Sequence, residues 1–242
     1  MPSCHARVLL NVTTDKVYLN RNWVWGYREH EHVGGDDPYS ASKAASELVT
    51  HAYRASFAAA ADHRIATGRA GNVIGGGDWA EDRLVPDIMR AAIDGTPVVI
   101  RNPHMERPWQ HVLCALHGYL LLCQRLWESP EFADSWNFGP FEEDVQTVEQ
   151  IVDRLDELWP GGLRREAPHE QAPPHEAHTL KLDPMRARKL LGWQPLWDLD
   201  RALQAIVSWF DAYRLGADMR AETLDQIAAY QAAGSQSPVT SG

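Results

Sequence analysis

Tyr39-Ser-Ala-Ser-Lys43 sets a phenol and an ammonium four residues apart. On a helix, positions i and i+4 share a face, so the two side chains can work together. An ammonium beside a phenol favours the phenolate, and can bring a group that ordinarily titrates near about 10 toward the range of a general base. A second cluster, Thr14-Asp15-Lys16, follows an apolar run, residues 8 to 12, that reads as a buried strand. Open α/β sheets bind ligands at the carboxyl ends of their strands, and the helix after this strand carries Tyr39 and Lys43. A hydroxyl, a carboxyl, an ammonium and a phenol are therefore expected at one crevice, a set suited to acid–base chemistry. Each cluster also has a plainer account: a chance pair on a surface helix for the first, a capped turn for the second.

The elements that must position these groups follow from periodicity and turn signals. A helix is expected from Pro38–Tyr39 to about Ala61, a strand over 65–70, and a glycine-rich loop over 71–78 (GNVIGGGD). An amphipathic helix is expected over 82–94, a short strand over 98–101, a helix over 112–127 and a strand end at Trp136-Asn-Phe-Gly139. A helix over 145–159, a loop over 160–178, a short strand over 180–182 and a short helix over 184–191 follow. The last long helix is expected over 200–215, and residues 234–242 read as a disordered tail. The pattern implies an α/β fold, a parallel layer followed by a smaller mixed lobe.

With 242 residues, 44% of them hydrophobic, the chain can bury one large core or two small ones. A net charge of −10 argues against nucleic acid or an anionic membrane as the main partner. Cys4, Cys114 and Cys123 form no CxxC pair and suit a reducing cytoplasm, and no apolar run is long enough to span a bilayer. Among the ten tryptophans, Trp23, Trp25 and Trp79 lie in loops, where they could face a base or sugar or simply pack in the core. His169, His175 and His178, with Glu170 and Glu176, match no zinc spacing, so no metal is expected.

The strings "TTDKVY", "YSASK", "RAGNVIGGGDW", "DRLVPDI", "RPWQHV", "WNFGP" and "ARKLLGWQP" together resemble the extended short-chain dehydrogenase/reductase family, and within it the nucleotide-sugar 4,6-dehydratases. "RAGNVIGGGDW" with lysine at position 16 is similar to the branch acting on CDP-glucose; the thymidine-diphosphate branch generally has glutamate there. The resemblance implies a Rossmann-like parallel sheet, NAD as cofactor and the following roles. Tyr39 takes the proton of the sugar 4-hydroxyl as hydride leaves C4 for the nicotinamide. Lys43 holds the nicotinamide ribose, Thr14 bonds the 4-hydroxyl, and Ala70 lies beside the cofactor. Lys16 removes the C5 proton, Asp15 protonates the leaving 6-hydroxyl, and hydride returns to C6. The division of acid and base between Asp15 and Lys16 stays open. Asn72 is expected to meet the substrate, and Arg83 and Arg107 its diphosphate, since guanidinium binds phosphate oxygens bidentately. A homodimer is implied through the helix starting at Tyr39, whose Ala41, Ala44, Ala45, Ala52 and Ala55 offer a small-residue face.

A dinucleotide enzyme of this fold is expected to open with strand, G-x-G-x-x-G and helix. Gly71, Gly75, Gly76 and Gly77 lack that spacing. The sheet is thus expected to lack its first strands, with an amino-terminal half missing or supplied by another polypeptide, and the chain alone to be poorly soluble or oligomeric and to bind NAD weakly. By this reading residues 1–72 and 112–140 form the second half of a Rossmann-type domain, and 73–111 with 141–233 a nucleotide-sugar lobe. The competing readings are an epimerase or reductase of the same fold, and a non-catalytic fragment that still binds a nucleotide sugar.

Overall fold

The computed structural model describes residues 6–58, 62–100, 102–166 and 180–236. Cys4 and the histidine–glutamate group over 169–178 lie outside the described residues. Two compact units emerge, and each is discontinuous in sequence: the first gathers Met1–Gly71, Ala115–Pro140 and Ala177–Gln194, the second Asn72–Cys114, Phe141–Glu176 and Pro195–Gly242. Residues 180–194, expected with the nucleotide-sugar lobe, pack with the first unit.

The first unit is built on a parallel sheet of order β1-β2-β6: β1 Val8–Val12, β2 Arg64–Ala70, β6 Ser135–Phe138. Val8 pairs with Arg64 and Val12 with Gly68, and Thr67 pairs with Ser135 on the other side. Helix α1, Pro38–Tyr53, starts where the sequence demands: Asp37 caps it by accepting from the Ser40 amide at 3.0 Å, and Pro38 needs no hydrogen-bond acceptor in the first turn. It runs into a wider π-turn, Arg54–Ala58. On β1, Asn11 bonds Ser46 and Thr50 of α1, while Leu10 turns toward the core formed by Ala66, Leu122, Trp136, Phe138, Leu191 and Trp193. Helix α3, Val112–Glu128, supplies Leu122 and Leu126 to that core. Its Gly118 admits Phe138, whose ring carbon stands 2.4 Å from where a Cβ would be.

The second unit contains β3 Asn72–Ile74, β5 Glu106–His111 and β7 Val145–Thr147 as one three-stranded sheet, with α2 Leu84–Asp94, α4 Val148–Leu158, α5 Leu199–Arg214 and α6 Met219–Gln236. A minor pair, β4 Val98–Val99 with β8 Arg165–Glu166, completes it. Ile88, Met89, Ile151, Leu155, Leu203 and Phe210 are among the buried side chains of its core.

Several sequence expectations are corrected. The expected loop over 71–78 holds the strand β3, and β5 stands where no strand was expected. The helix over 145–159 begins three residues later, because 145–147 pair with β5 first and Thr147 then opens α4 with a capping box. The strand over 180–182 is a single bridge, Tyr27 to Leu182. Helix α6 was not expected at all, and it carries residues 234–236, read from sequence as tail. No helix among the described residues is long and apolar enough to cross a membrane.

Candidate active site

At the end of β1 the chain turns into a single 3-10 turn, Asp15–Val17, and Thr14 is its cap. The Thr14 hydroxyl accepts from the Lys16 amide at 3.3 Å and lies 3.0 Å from Asp15 Oδ1, to which it donates. Thr14 and Asp15 are buried, and Lys16 is exposed. This turn packs against α1. The capping carboxyl of Asp37 senses the same neighbourhood: hydrogen bonds from Ser40 hold it below the usual carboxylate range, and the Lys16 ammonium contributes. Tyr39 and Lys43 leave the first two turns of α1, with the Lys43 ammonium 6.0 Å from the centre of the Tyr39 ring. Thr14, Asp15, Lys16, Tyr39 and Lys43 thus belong to one unit, on two elements in contact.

Beneath them lies a set of charges that the motifs did not reveal. Glu47, one turn after Lys43, and Arg69 of β2 form an ion pair with both side chains only 4% exposed. Arg69 Nε and Nη2 each donate to a different Glu47 oxygen at 2.9 Å. Burial would raise the Glu47 pKa, but the Arg69 bonds outweigh it and hold the carboxyl below its usual range. Thr13 donates to Glu47 Oε1 at 2.5 Å and Thr67 to Oε2 at 2.8 Å. Arg69 Nη1 reaches the Tyr18 hydroxyl at 2.7 Å, and Tyr18 in turn donates to Asn137 Oδ1 at 2.7 Å. Burial pushes the Tyr18 phenol up to about 12 despite the neighbouring guanidinium. On the other side of β2, Tyr119 of α3 is also raised to about 12, by burial first and then by the Asp15 carboxylate. The sequence signal for Glu47 was available: an acid on the face of α1 that carries Lys43, amid small residues.

A cavity of about 250 Å³ opens along the later turns of α1, lined among others by Glu29, Glu47, His51, Arg54 and Arg186. None of the site residues named from sequence lines it.

The remaining candidates are divided between the two units. Ala70 is the buried last residue of β2. Asn72, Arg83 and Arg107 belong to the second unit: Asn72 opens β3, Arg83 precedes α2 with its guanidinium 3.8 Å from Asp78, and Arg107 lies on β5 with Nη1 donating to the Glu106 carbonyl at 2.9 Å. Trp79 packs on Phe210 and Tyr213 of α5, at 5.0 and 4.9 Å between ring centres, and Trp23 packs on Tyr27 at 5.2 Å. Trp25 is exposed.

Within "RPWQHV", His111 is a buried neutral imidazole. Its ring lies 4.9 Å from Trp197, and Nδ1 accepts from the Leu113 amide at 3.3 Å. Burial, with the Arg201 charge adding, pushes it down to about 4. An unfolded chain takes up this proton near pH ~6.5, so between these values the unfolded state binds more protons and stability falls as pH falls. The second unit is expected to lose roughly 3 kcal/mol from this group between about pH 7 and pH 4. Urea midpoints followed by tryptophan fluorescence check it: His111→Phe should flatten that slope, and an unchanged slope would show that other groups carry it.

The chain is similar to known proteins over most of its length. The model of the GDP-mannose 4,6 dehydratase family matches residues 4–206. The CDP-glucose 4,6-dehydratase of Salmonella typhimurium is 49% identical over 94% of this chain, which spans 65% of that protein's length. Among solved structures, the UDP-glucose 4-epimerase of Thermotoga maritima superposes with a TM-score of 0.73 at 20% identity, covering 86% of this chain and 64% of its own. The dTDP-glucose 4,6-dehydratase of Bacillus anthracis, solved with NAD, gives 0.66 at 17% identity, covering 84% and 61%. At such identities these structures establish the fold, the Rossmann-type α/β sheet expected from the sequence. The motif strings, the parallel sheet and a family match that takes in both units agree, and this chain belongs to the GDP-mannose 4,6 dehydratase family.

Proposed function

We propose that this chain carries the acid–base residues of an NAD-dependent nucleotide-sugar 4,6-dehydratase, converting CDP-glucose to CDP-4-keto-6-deoxyglucose. What supports this most is the packing of the Thr14-Asp15-Lys16 turn on the helix of Tyr39 and Lys43, in a chain 49% identical to a CDP-glucose 4,6-dehydratase. Tyr39 and Lys43 suit the nicotinamide-ribose end of the cofactor, because phenol and ammonium project one turn apart from the start of α1. When bound, NAD supplies the acceptor and donor of hydride. Tyr39 takes the proton from the sugar 4-hydroxyl, and Thr14 holds that hydroxyl. Lys43 grips the ribose. Asp15 and Lys16 share the proton transfers at C5 and at the leaving 6-hydroxyl. Ala70 is proposed as a cofactor neighbour, Asn72 as a substrate contact, and Arg83 and Arg107 as partners of the diphosphate.

The test is product analysis with NAD and CDP-glucose, on the chain expressed with its genomic flanking sequence intact. A 4-keto-6-deoxy product, absorbing in alkali, is expected. An epimer that keeps its 6-hydroxyl, or no turnover at all, overturns the reading.

A homodimer through α1 belongs to the same proposal. Leu48, Val49, Tyr53 and Phe57 are each 57–59% exposed, next to the exposed Ala45 and Ala52. These positions recur at helical spacing and form an apolar stripe of the kind that marks an interface. Leu48→Glu with Tyr53→Glu should halve the mass seen by sedimentation, and an unshifted mass would exclude this face. Cys114 and Cys123, which form no disulfide among the described residues, suit the reducing cytoplasm we propose as its compartment.

A further inference from the structure

We propose that Glu47 and Arg69, acting through Thr13, are positioning residues that set where Thr14, Asp15 and Lys16 stand relative to Tyr39 and Lys43. The inference rests on the dehydratase reading for its catalytic meaning.

Helix α1 has to hold Tyr39 and Lys43 at a fixed height and phase against the end of β1. Backbone pairing cannot do this, since a helix shares no ladder with a strand. Asn11 ties the middle of β1 to Ser46 and Thr50 of α1, and Glu47 supplies the tie at the strand end beside Thr14. It stands eight residues after Tyr39 and four after Lys43, so it lies on the same side of α1 as both. Its two oxygens are claimed from four strand positions: Thr13 at the end of β1, Thr67 and Arg69 on β2, and Ser135 on β6, whose hydroxyl donates at 3.4 Å. Thr13 itself remains in the sheet, its amide donating to the Gly68 carbonyl at 2.9 Å, and the next residue is Thr14. The chain of contacts from the Lys43 face of α1 to the Thr14 hydroxyl therefore runs through one carboxylate and one threonine.

Arg69 extends the tie to β6 through Tyr18 and Asn137, and its Nη1 also donates to the Glu29 carbonyl at 2.9 Å. β1, β2, β6 and α1 are thereby referred to one bidentate pair, whose fork geometry fixes orientation as well as distance. A buried ion pair is poor evidence of stabilisation, because well-packed apolar side chains often serve a fold as well or better. Its retention here is explained by the geometry it imposes: active groups need placement to within a fraction of an ångström, supplied by a locked surrounding shell.

Replacing Glu47 outright would strand the Arg69 charge and risk unfolding, so the decisive variant is Thr13→Val. It keeps the shape and the ion pair and removes only the hydroxyl that joins strand end to helix. Two-dimensional amide spectra of the ¹⁵N-labelled chain should show Thr14, Asp15, Lys16 and Tyr39 displaced, and Thr13→Ser should restore them. Leu155→Ala, a core change in the other unit, should lower stability and leave those amides in place. In turnover with CDP-glucose, Thr13→Val should lower kcat by about 10- to 100-fold, with KM within about twofold. If Thr13→Val costs stability while the four amides stay and kcat is kept, the network is only a folding element and the proposal is overturned. If the unaltered chain gives no product, the dehydratase reading fails, and the amide displacements alone decide whether the tie sets position.

Discussion

Tyr39→Phe is expected to lower kcat with CDP-glucose by about 10²- to 10⁴-fold, the usual worth of a positioned acid–base group. The prediction is sharp because the substitution removes one oxygen and little else. The Tyr39 side chain is 51% exposed on the first turn of α1, so its loss should shift stability by no more than about 0.5 kcal/mol. Helix start, cap and the Lys43 position depend on Asp37, Pro38 and Ser40, none of which bonds the phenol oxygen. KM should change little, since in the proposed mechanism the hydroxyl works on the proton that departs during oxidation. Retained turnover, with thermal unfolding unaltered, would remove Tyr39 from the chemistry and leave its Lys43 pairing as a feature of a surface helix.

Gly76→Val is expected to have the largest effect on folding. A Cβ at Gly76 would meet Trp209 of α5 at 2.2 Å from Cγ and 2.7 Å from Cβ and Cδ1. These are stem and ring atoms of a buried tryptophan that also packs on Phe210 and Tyr213 and donates from Nε1 to Thr223, so it cannot swing aside. Overpacking ordinarily costs about 1–3 kcal/mol, and this position should reach or exceed the upper figure. Against a total stability of about 5–15 kcal/mol, that is a large share. The urea midpoint measures it, and pairing the change with Trp209→Ala should recover part of the loss, as expected for residues in direct contact. An undiminished midpoint for Gly76→Val would mean that the loop and α5 are not held together in this way.

That glycine also shows what the sequence can and cannot disclose. "GNVIGGGD" reads as a loop near a ligand, yet Gly76 and Gly77 are small so that α5 can lie on them. The reason sits over a hundred residues downstream and leaves no local trace. Elements fixed by nearby signals were legible: β1 by its apolar run, α1 by Asp37-Pro38, α2 and α5 by helical periodicity. β5 was hidden because "ERPWQH" alternates poorly and contains a proline. α6 was hidden because its apolar residues are spread around the helix, and its anchors come from other segments: Tyr230 packs on Trp197, Gln226 donates to the Ala205 carbonyl at 2.8 Å, and Thr223 and Glu222 accept from Trp209 and Ser208. At the site, the residues that would do chemistry were readable from spacing, whereas the Glu47–Arg69 tie, which depends on pairing between distant segments, was not.

The proline in β5 has a further consequence. Glu106, Arg107 and Pro108 pair with β7, and Trp109, Gln110 and His111 pair with β3, so the backbone of the strand divides its pairing between two neighbours, while the Trp109 indole also donates to the Gln146 carbonyl of β7 at 3.2 Å. Pro108, which has no amide hydrogen, stands at the border. Detaching β7 would therefore break no hydrogen bond of β3, and a local opening that begins at one end of β5 can halt at its middle. The strand is continuous as a chain, but in opening free energy it is two segments, each as persistent as the partner it happens to hold.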